Sequence, residues 1–304
     1  MPPIRVLLFA AQRAHRKIAE AIPRMCTATG CDLEMTESLC RVKTGDYDLL
    51  VSPLHYIDPS VIPANVRTII GPQLYVFPSG PTVGPYDASY EGRYIVNCLS
   101  EWVKEHFRAH VGGPGALRFP NAPLPTGVDT GSFAPNGAER TKVLLYIKHR
   151  KPSDIAYMRT LLAQKNIAVE VFDYGSYNEA NYLRALQSAQ FMVVLDAHES
   201  QGYALQEAMS CGVPLLVWDV ESMYQEYNGG RQVYSPNGNP LTATSVPWWS
   251  DECGIQTTKQ EELADALDVM VRDWSTFKPR EFVLATLSDE ACMKRWLSAV
   301  GLSR

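Results

Sequence analysis

The chain has 304 residues, about two domains' worth, and 46% of them are hydrophobic, enough to bury a core in each. Its formal net charge of −5 is uneven, with 12 Lys+Arg against 12 Asp+Glu in residues 1–137 and 16 against 21 in the remainder, which argues against a surface for nucleic acid. No apolar run approaches the roughly 18 residues of a membrane span, and the seven cysteines lack paired zinc-ligand spacing.

Ile4 to Ala10 reads as a first strand rather than a signal peptide, and the cysteines as free thiols of a reducing compartment, so a soluble cytoplasmic protein is expected. A basic helical stretch runs from Gln12 to Met25. Short strands follow at Asp32–Met35, Asp48–Ser52, Val66–Ile70 and Tyr94–Cys98, and Ser100 caps an amphipathic helix that ends by Gly112. Prolines and glycines between Gly112 and Gly137 mark a linker. A second series has strands at Val143–Ile147 and Ala168–Phe172, with helices near Ser153–Lys165 and Glu179–Ser188. Residues 228–254 read as loop, and helices near Lys259–Trp274 and Ser288–Val300 close the chain. Alternating short strands and helices predict α/β architecture with parallel sheets.

Within the second series, the apolar runs Phe191–Leu195 and Val213–Trp218 fit buried strands. Gly202 to Cys211 between them reads as a helix stopped at Gly212. Glu199 lies in the loop and Glu207 on the helix, with seven residues between them. A helix N-terminus offers unpaired amides and partial positive charge, which suit phosphate. A carboxylate beside it suits vicinal hydroxyls. A phosphate, a ribose on Glu207 and a sugar on Glu199 together describe a nucleotide-sugar. A plain βαβ unit with two solvated glutamates is the bland alternative.

This stretch resembles retaining glycosyltransferases of the two-domain GT-B class, especially glycosyltransferase family 4. The resemblance rests on Glu199, Gly202, Glu207, Ala208, Met209, Gly212 and Pro214, in register over sixteen positions. The segment T-G-V-D-T-G-S-F-A-P, Thr126 to Pro135, is similar to the family's approach to its second domain. The resemblance implies two Rossmann-like domains facing a cleft. Residues 1–125 form the acceptor side, 126–287 the donor side, and 288–304 a helix crossing back to the first domain. It also implies a metal-independent transfer to a hydroxyl acceptor with retention of configuration, and no cofactor beyond the donor.

The resemblance further implies cations on the diphosphate. Lys148, Arg150 and Lys151 are the candidates, although the family's Gly-Arg spacing is missing, and Lys148 with Arg150 is the preferred pair if the strand continues. Glu199 is expected to hold sugar hydroxyls together with the amides of Gln201, Gly202 and Tyr203, with Ser200 alongside. Gly175 and Tyr177, in D-Y-G-S-Y after a strand, are placed at the base. His55, in a Pro-rich loop, is the preferred first-domain histidine near the donor sugar. His106 and His110 lie four apart on one helix without an evident third metal ligand. Gln73, Tyr75 and Arg13 are expected on the acceptor side. Asp219 and Glu221 end a strand within reach of the cleft. A non-catalytic nucleotide- or sugar-binding relative and a nucleotide-sugar epimerase are the competing readings.

Overall fold

The computed structural model describes residues 2–9, 15–72, 92–110, 120–234 and 242–302. The chain divides into two compact units, Met1–Asp129 with Leu287–Arg304, and Thr130–Thr286. Both are Rossmann-like α/β units in which helices pack against a parallel sheet.

In the first unit the elements are β1 (Arg5–Phe9), α1 (Arg16–Thr29), β2 (Asp32–Thr36), α2 (Leu39–Val42), β3 (Leu49–Ser52), β4 (Arg67–Ile70), β5 (Tyr94–Asn97), α3 (Glu101–His110) and β6 (Asn121–Ala122). The sheet order is β2-β1-β3-β4-β5-β6, parallel throughout. The central strands β1 and β3 are buried along almost their whole length, which explains why they read as continuous apolar runs. The edge strand β2 (D-L-E-M-T) is half-buried at best. Helix α1 continues past the expected Met25 until Gly30, whose left-handed backbone (φ 65°) closes it.

The second unit contains β7 (Lys142–Lys148), α4 (Pro152–Gln164), β8 (Val169–Asp173), α5 (Glu179–Gln187), β9 (Ala189–Asp196), α6 (Tyr203–Ser210), β10 (Leu215–Trp218), the ribbon β11 (Tyr227–Asn228) and β12 (Arg231–Gln232), β13 (Gly254–Thr257), α7 (Leu263–Asp273) and α8 (Pro279–Thr286). Its sheet runs β13-β10-β9-β7-β8, again parallel. Alternate residues of β7 and β9 face opposite sides. Val143, Leu145, Ile147, Phe191, Val193 and Leu195 join Met158, Leu161 and Leu162 of α4 and Leu263, Leu267 and Met270 of α7 in one core. Full burial of each such side chain is worth roughly 1.5–3 kcal/mol. The opposite face, with Tyr146, Lys148, Met192, Val194 and Asp196, looks toward α5 and α6.

The chain returns to the first unit at its end. Helix α9 (Asp289–Ala299) packs on α1. Val128 N–H donates to the Leu287 carbonyl (2.9 Å), Trp296 Nε1 to the Pro125 carbonyl (2.8 Å), and Arg24 bridges Asp289 (3.0 Å) and the Gly127 carbonyl (3.1 Å). A Cβ on Gly127 would lie 2.6 Å from the Asp289 backbone, so this position requires glycine. The G-V-D segment therefore serves as a close-packed junction.

Besides the short helix α2 and the β11–β12 ribbon, which carry no expected element, three further elements depart from the sequence reading. Strand β13 (G-I-Q-T) lies at the sheet edge, and half of its residues keep partial exposure, so it lacks an apolar run. Helix α8 occupies P-R-E-F-V-L-A-T, which carries no expected element. Within the expected linker, Asn121–Ala122 pair with β5 as β6.

Candidate functional site

Numbering the sheet strands within each unit gives the order 2-1-3-4-5, with a sixth strand added at the edge in the first unit, and the strand order reverses between the first and third strands. Ligands of such sheets bind beyond the strand carboxyl ends at that switch point. In the second unit this is where β7 and β9 end, and the register sets Lys148 beside Asp196.

Lys148 forms an ion pair with Glu199, each side chain 15% exposed. Its ammonium also lies over the Tyr174 ring, 4.6 Å from the centroid. Burial alone would lower the lysine's pKa, but the neighbouring acidic groups, Glu199 first, outweigh it and hold the ammonium above its ordinary value. Gly202, left-handed at φ 84°, is the N-cap of α6 and, as a glycine, supplies no side-chain cap. A Cβ at Gly202 would touch Glu199 Cβ at 3.4 Å, so the Glu199 side chain lies against the start of α6. The arrangement thus runs from the α6 N-terminus through Glu199 to Lys148.

Glu207 is buried on α6 (5% exposed). Its charge is felt by Tyr177 and Tyr182. These two rings, with Tyr146 and Phe172, form an aromatic nest with centroid separations from 5.0 to 6.4 Å. Burial is the main cause that pushes the Tyr177 phenol up to about 12. Tyr182 Oη donates to the Ala204 carbonyl at 2.8 Å and so holds the first turn of α6. Gly175, left-handed at φ 80°, has open space around its Cβ direction.

Arg150 differs from the sequence expectation. Strand β7 ends at Lys148, and His149 takes a left-handed backbone (φ 51°). Arg150 therefore does not extend the Lys148 face. Its side chain is 1% exposed and bonds Asp154 (2.9 Å). Its Nη1 donates to the carbonyls of Asp196 and Trp218, both at 3.0 Å, and the guanidinium stacks over the Trp218 ring. It bolts the ends of β9 and β10 together and is not available to a diphosphate. Asp219 is similarly committed. Its carboxylate accepts from the Val220 and Ser245 amides, Thr244 Oγ1 and Gln256 Nε2 at 2.6–2.8 Å. This fixes the loop whose Thr244 carbonyl accepts from the Glu199 N–H at 3.0 Å.

The other expected residues are placed as follows. The Gln201 side chain is sealed against Gln206 at 3.1 Å, and its carbonyl accepts from Gln206 Nε2 at 2.7 Å. Ser200 and Tyr203 are half-buried beside Gly202, and Lys151 is exposed at the N-cap of α4. In the first unit, His55 is exposed, with its ring edge-on to Phe9 at 5.7 Å, and the Ser52 hydroxyl donates to its carbonyl at 2.7 Å. This pair lies at the corresponding β1/β3 switch point. Arg13, Gln73 and Tyr75 fall outside the described residues. Among the described residues no group of three His, Cys, Asp or Glu side chains gathers as for a metal, and no helix is long and apolar enough to cross a membrane.

The sequence reading did not include Tyr146, Tyr174, Tyr182 or Asp196 in the site. Tyr146 is two residues before Lys148 on one strand, so period-two alternation points to it. Nothing local in the sequence shows that Tyr182 reaches α6.

No protein-family model matches the chain, and no curated protein matches it in sequence. Solved structures do. AviGT4, a glycosyltransferase involved in avilamycin A biosynthesis, superposes with a TM-score of 0.56 at 13% identity, over 99% of this chain and 97% of that one. The chain has the GT-B fold. Sucrose-phosphate synthase from Thermosynechococcus elongatus gives 0.51 at 14% identity, over 98% of both chains. The N-terminal domain of Candida albicans trehalose-6-phosphate phosphatase gives 0.51 at 10%, over 99% of this chain and 97% of that one. At such identities the likeness establishes the GT-B fold, and the family-4 resemblance rests on the β9–α6 motif. Within this fold, the buried charges just described lie at the carboxyl end of the second unit's sheet.

Proposed function

We propose that this protein is a glycosyltransferase that moves a sugar from a nucleotide-sugar to a hydroxyl acceptor with retention of anomeric configuration. The observation that carries the reading is the gathering of Lys148, Glu199 and Glu207 around the glycine-capped N-terminus of α6, at the switch point of the second sheet.

In this reading the diphosphate lies on the amides that open α6, with Lys148 supplying the neighbouring positive charge. As the anomeric C–O bond breaks, negative charge grows on the leaving diphosphate, and donors already in place stabilise it without reorganising. Glu207 accepts hydrogen bonds from the ribose hydroxyls. Tyr177, facing Glu207, with the open Gly175 turn, flanks the base. Glu199 holds sugar hydroxyls, sharing its second contact with Lys148. Ser200, Gln201, Gly202 and Tyr203 contribute backbone, and Lys151 lies at the rim. The departing diphosphate oxygen takes the acceptor's proton, so the proposal needs no carboxylate base, and Glu199 is not a nucleophile.

A second reading, a relative that binds nucleotide without transfer, is favoured by one observation. Arg150, the residue expected to provide the second cation, is structural here. Incubation with UDP-, GDP- and ADP-sugars separates the two. Acceptor-stimulated release of nucleoside diphosphate, with the product's anomeric configuration read by NMR, supports transfer. Saturable binding with no release under any acceptor supports the second reading.

A further inference from the structure

Asp196 has no role in the reading above, yet it is fully buried at the centre of the site. One of its oxygens, Oδ1, accepts from the Ala197 amide at 2.7 Å. No donor reaches the other, Oδ2, although it too is shut away from solvent. The side chain in hydrogen-bonding contact with the Asp196 carboxyl is Glu199, itself an acceptor when ionised. An unsatisfied buried carboxylate oxygen is costly, and two carboxylates in contact cannot both be ionised. A single proton between them resolves both difficulties.

We infer that Asp196 is a positioning residue whose neutral carboxyl group donates a hydrogen bond to Glu199 and holds that carboxylate against Lys148. The surrounding charges agree on which partner keeps the proton. Asp196 is the more deeply buried of the two, while Glu199 is 15% exposed and already carries the Lys148 ammonium. The other titratable groups that act on Asp196 are Lys148 and Tyr146 from β7, and Arg150, whose guanidinium binds the Asp196 carbonyl. Burial first, and then the Glu199 charge, raise the Asp196 pKa well above its ordinary value, against the lowering pull of Lys148. The consequence for the site is pre-organisation. Glu199 is fixed from two sides before any ligand arrives.

The inference builds on the proposed donor site, but it is tested in the ligand-free protein. The infrared difference spectrum of wild type minus D196N at neutral pH should show the carbonyl stretch of a protonated carboxylic acid, above the amide band. Its absence overturns the inference. In E199Q the same band should shift or vanish, because the carboxylate that accepts the hydrogen bond and opposes Asp196 ionisation is gone, and an unmoved band shows that Glu199 is not the partner. D196N places an amide N–H where the acid proton was, so it should keep the wild-type thermal shift with UDP, GDP and ADP sugars, whereas D196L loses it. Loss in a folded D196N overturns the positioning role. A wild type that ignores every nucleotide sinks the donor reading alone, since the infrared result still decides the hydrogen bond.

Discussion

The two sheets share one strand order and differ in what their carboxyl ends carry. Among the described residues, the β1/β3 switch point of the first unit presents an exposed His55 edge-on to the buried Phe9. The β7/β9 switch point of the second presents a buried lysine, two acidic side chains and, on the following helix, a third. Burying charge is expensive and persists only where partners or ligands compensate. The difference teaches that strand order provides a place for a ligand in both units, while the cost of buried charge singles out the second as the candidate site.

Variants can break or sharpen this contrast. The largest effect is expected from Glu207→Ala. Charge-assisted hydrogen bonds are worth roughly 1.5–3 kcal/mol each, so loss of a bidentate ribose contact should lower kcat/KM by about a hundredfold or more. Wild-type activity in that variant would remove the ribose assignment.

Next is the Lys148–Glu199 pair. Removing one partner of a buried ion pair costs about 3–5 kcal/mol, and the residual exposure of both groups places Lys148→Met near the lower end. Combining it with Glu199→Gln should restore much of the stability in denaturant titrations without restoring nucleotide affinity. Strict additivity of the two single changes would mean that the pair is not coupled.

Arg150→Lys should cost about 2–3 kcal/mol in unfolding free energy, since an ammonium cannot reach two carbonyls and a carboxylate in the guanidinium's geometry. Nucleotide affinity per folded molecule should stay within about threefold, a change of under about 1 kcal/mol. A large selective loss of affinity with intact stability would return Arg150 to the diphosphate. The smallest effect is expected for His55→Ala, about 0.5–1 kcal/mol of stability from the lost ring contact with Phe9. Calorimetric nucleotide binding by the second unit should be unchanged, and a clear drop would give His55 a role in the donor site.

Much of this was legible in the sequence. Buried parallel strands announce themselves as short apolar runs, and β9–α6 also carries the Glu199–Glu207 spacing, so fold class and the core of the candidate site could be read together. The reading of Lys148 and Arg150 as one pair failed because periodicity assumes that the strand continues. The left-handed His149 ends it two residues short of Arg150, a feature that a histidine signals only weakly. Strand β13 was missed because an edge position does not require apolar residues on both faces. Asp196 was invisible as a functional group because its partners, Lys148 and Glu199, meet it only through the β7/β9 register and the loop beyond.

The central claim is that the second unit's switch point holds a nucleotide diphosphate through α6, Lys148 and Glu207. The most direct test is a thermal-shift panel of UDP, GDP, ADP and their sugars on wild type, Glu207→Ala and Arg150→Lys. The account predicts stabilisation by one nucleotide series in wild type, lost in Glu207→Ala and retained as an upward shift in Arg150→Lys. A flat panel on folded wild-type protein, or a response that survives Glu207→Ala unchanged, would contradict it.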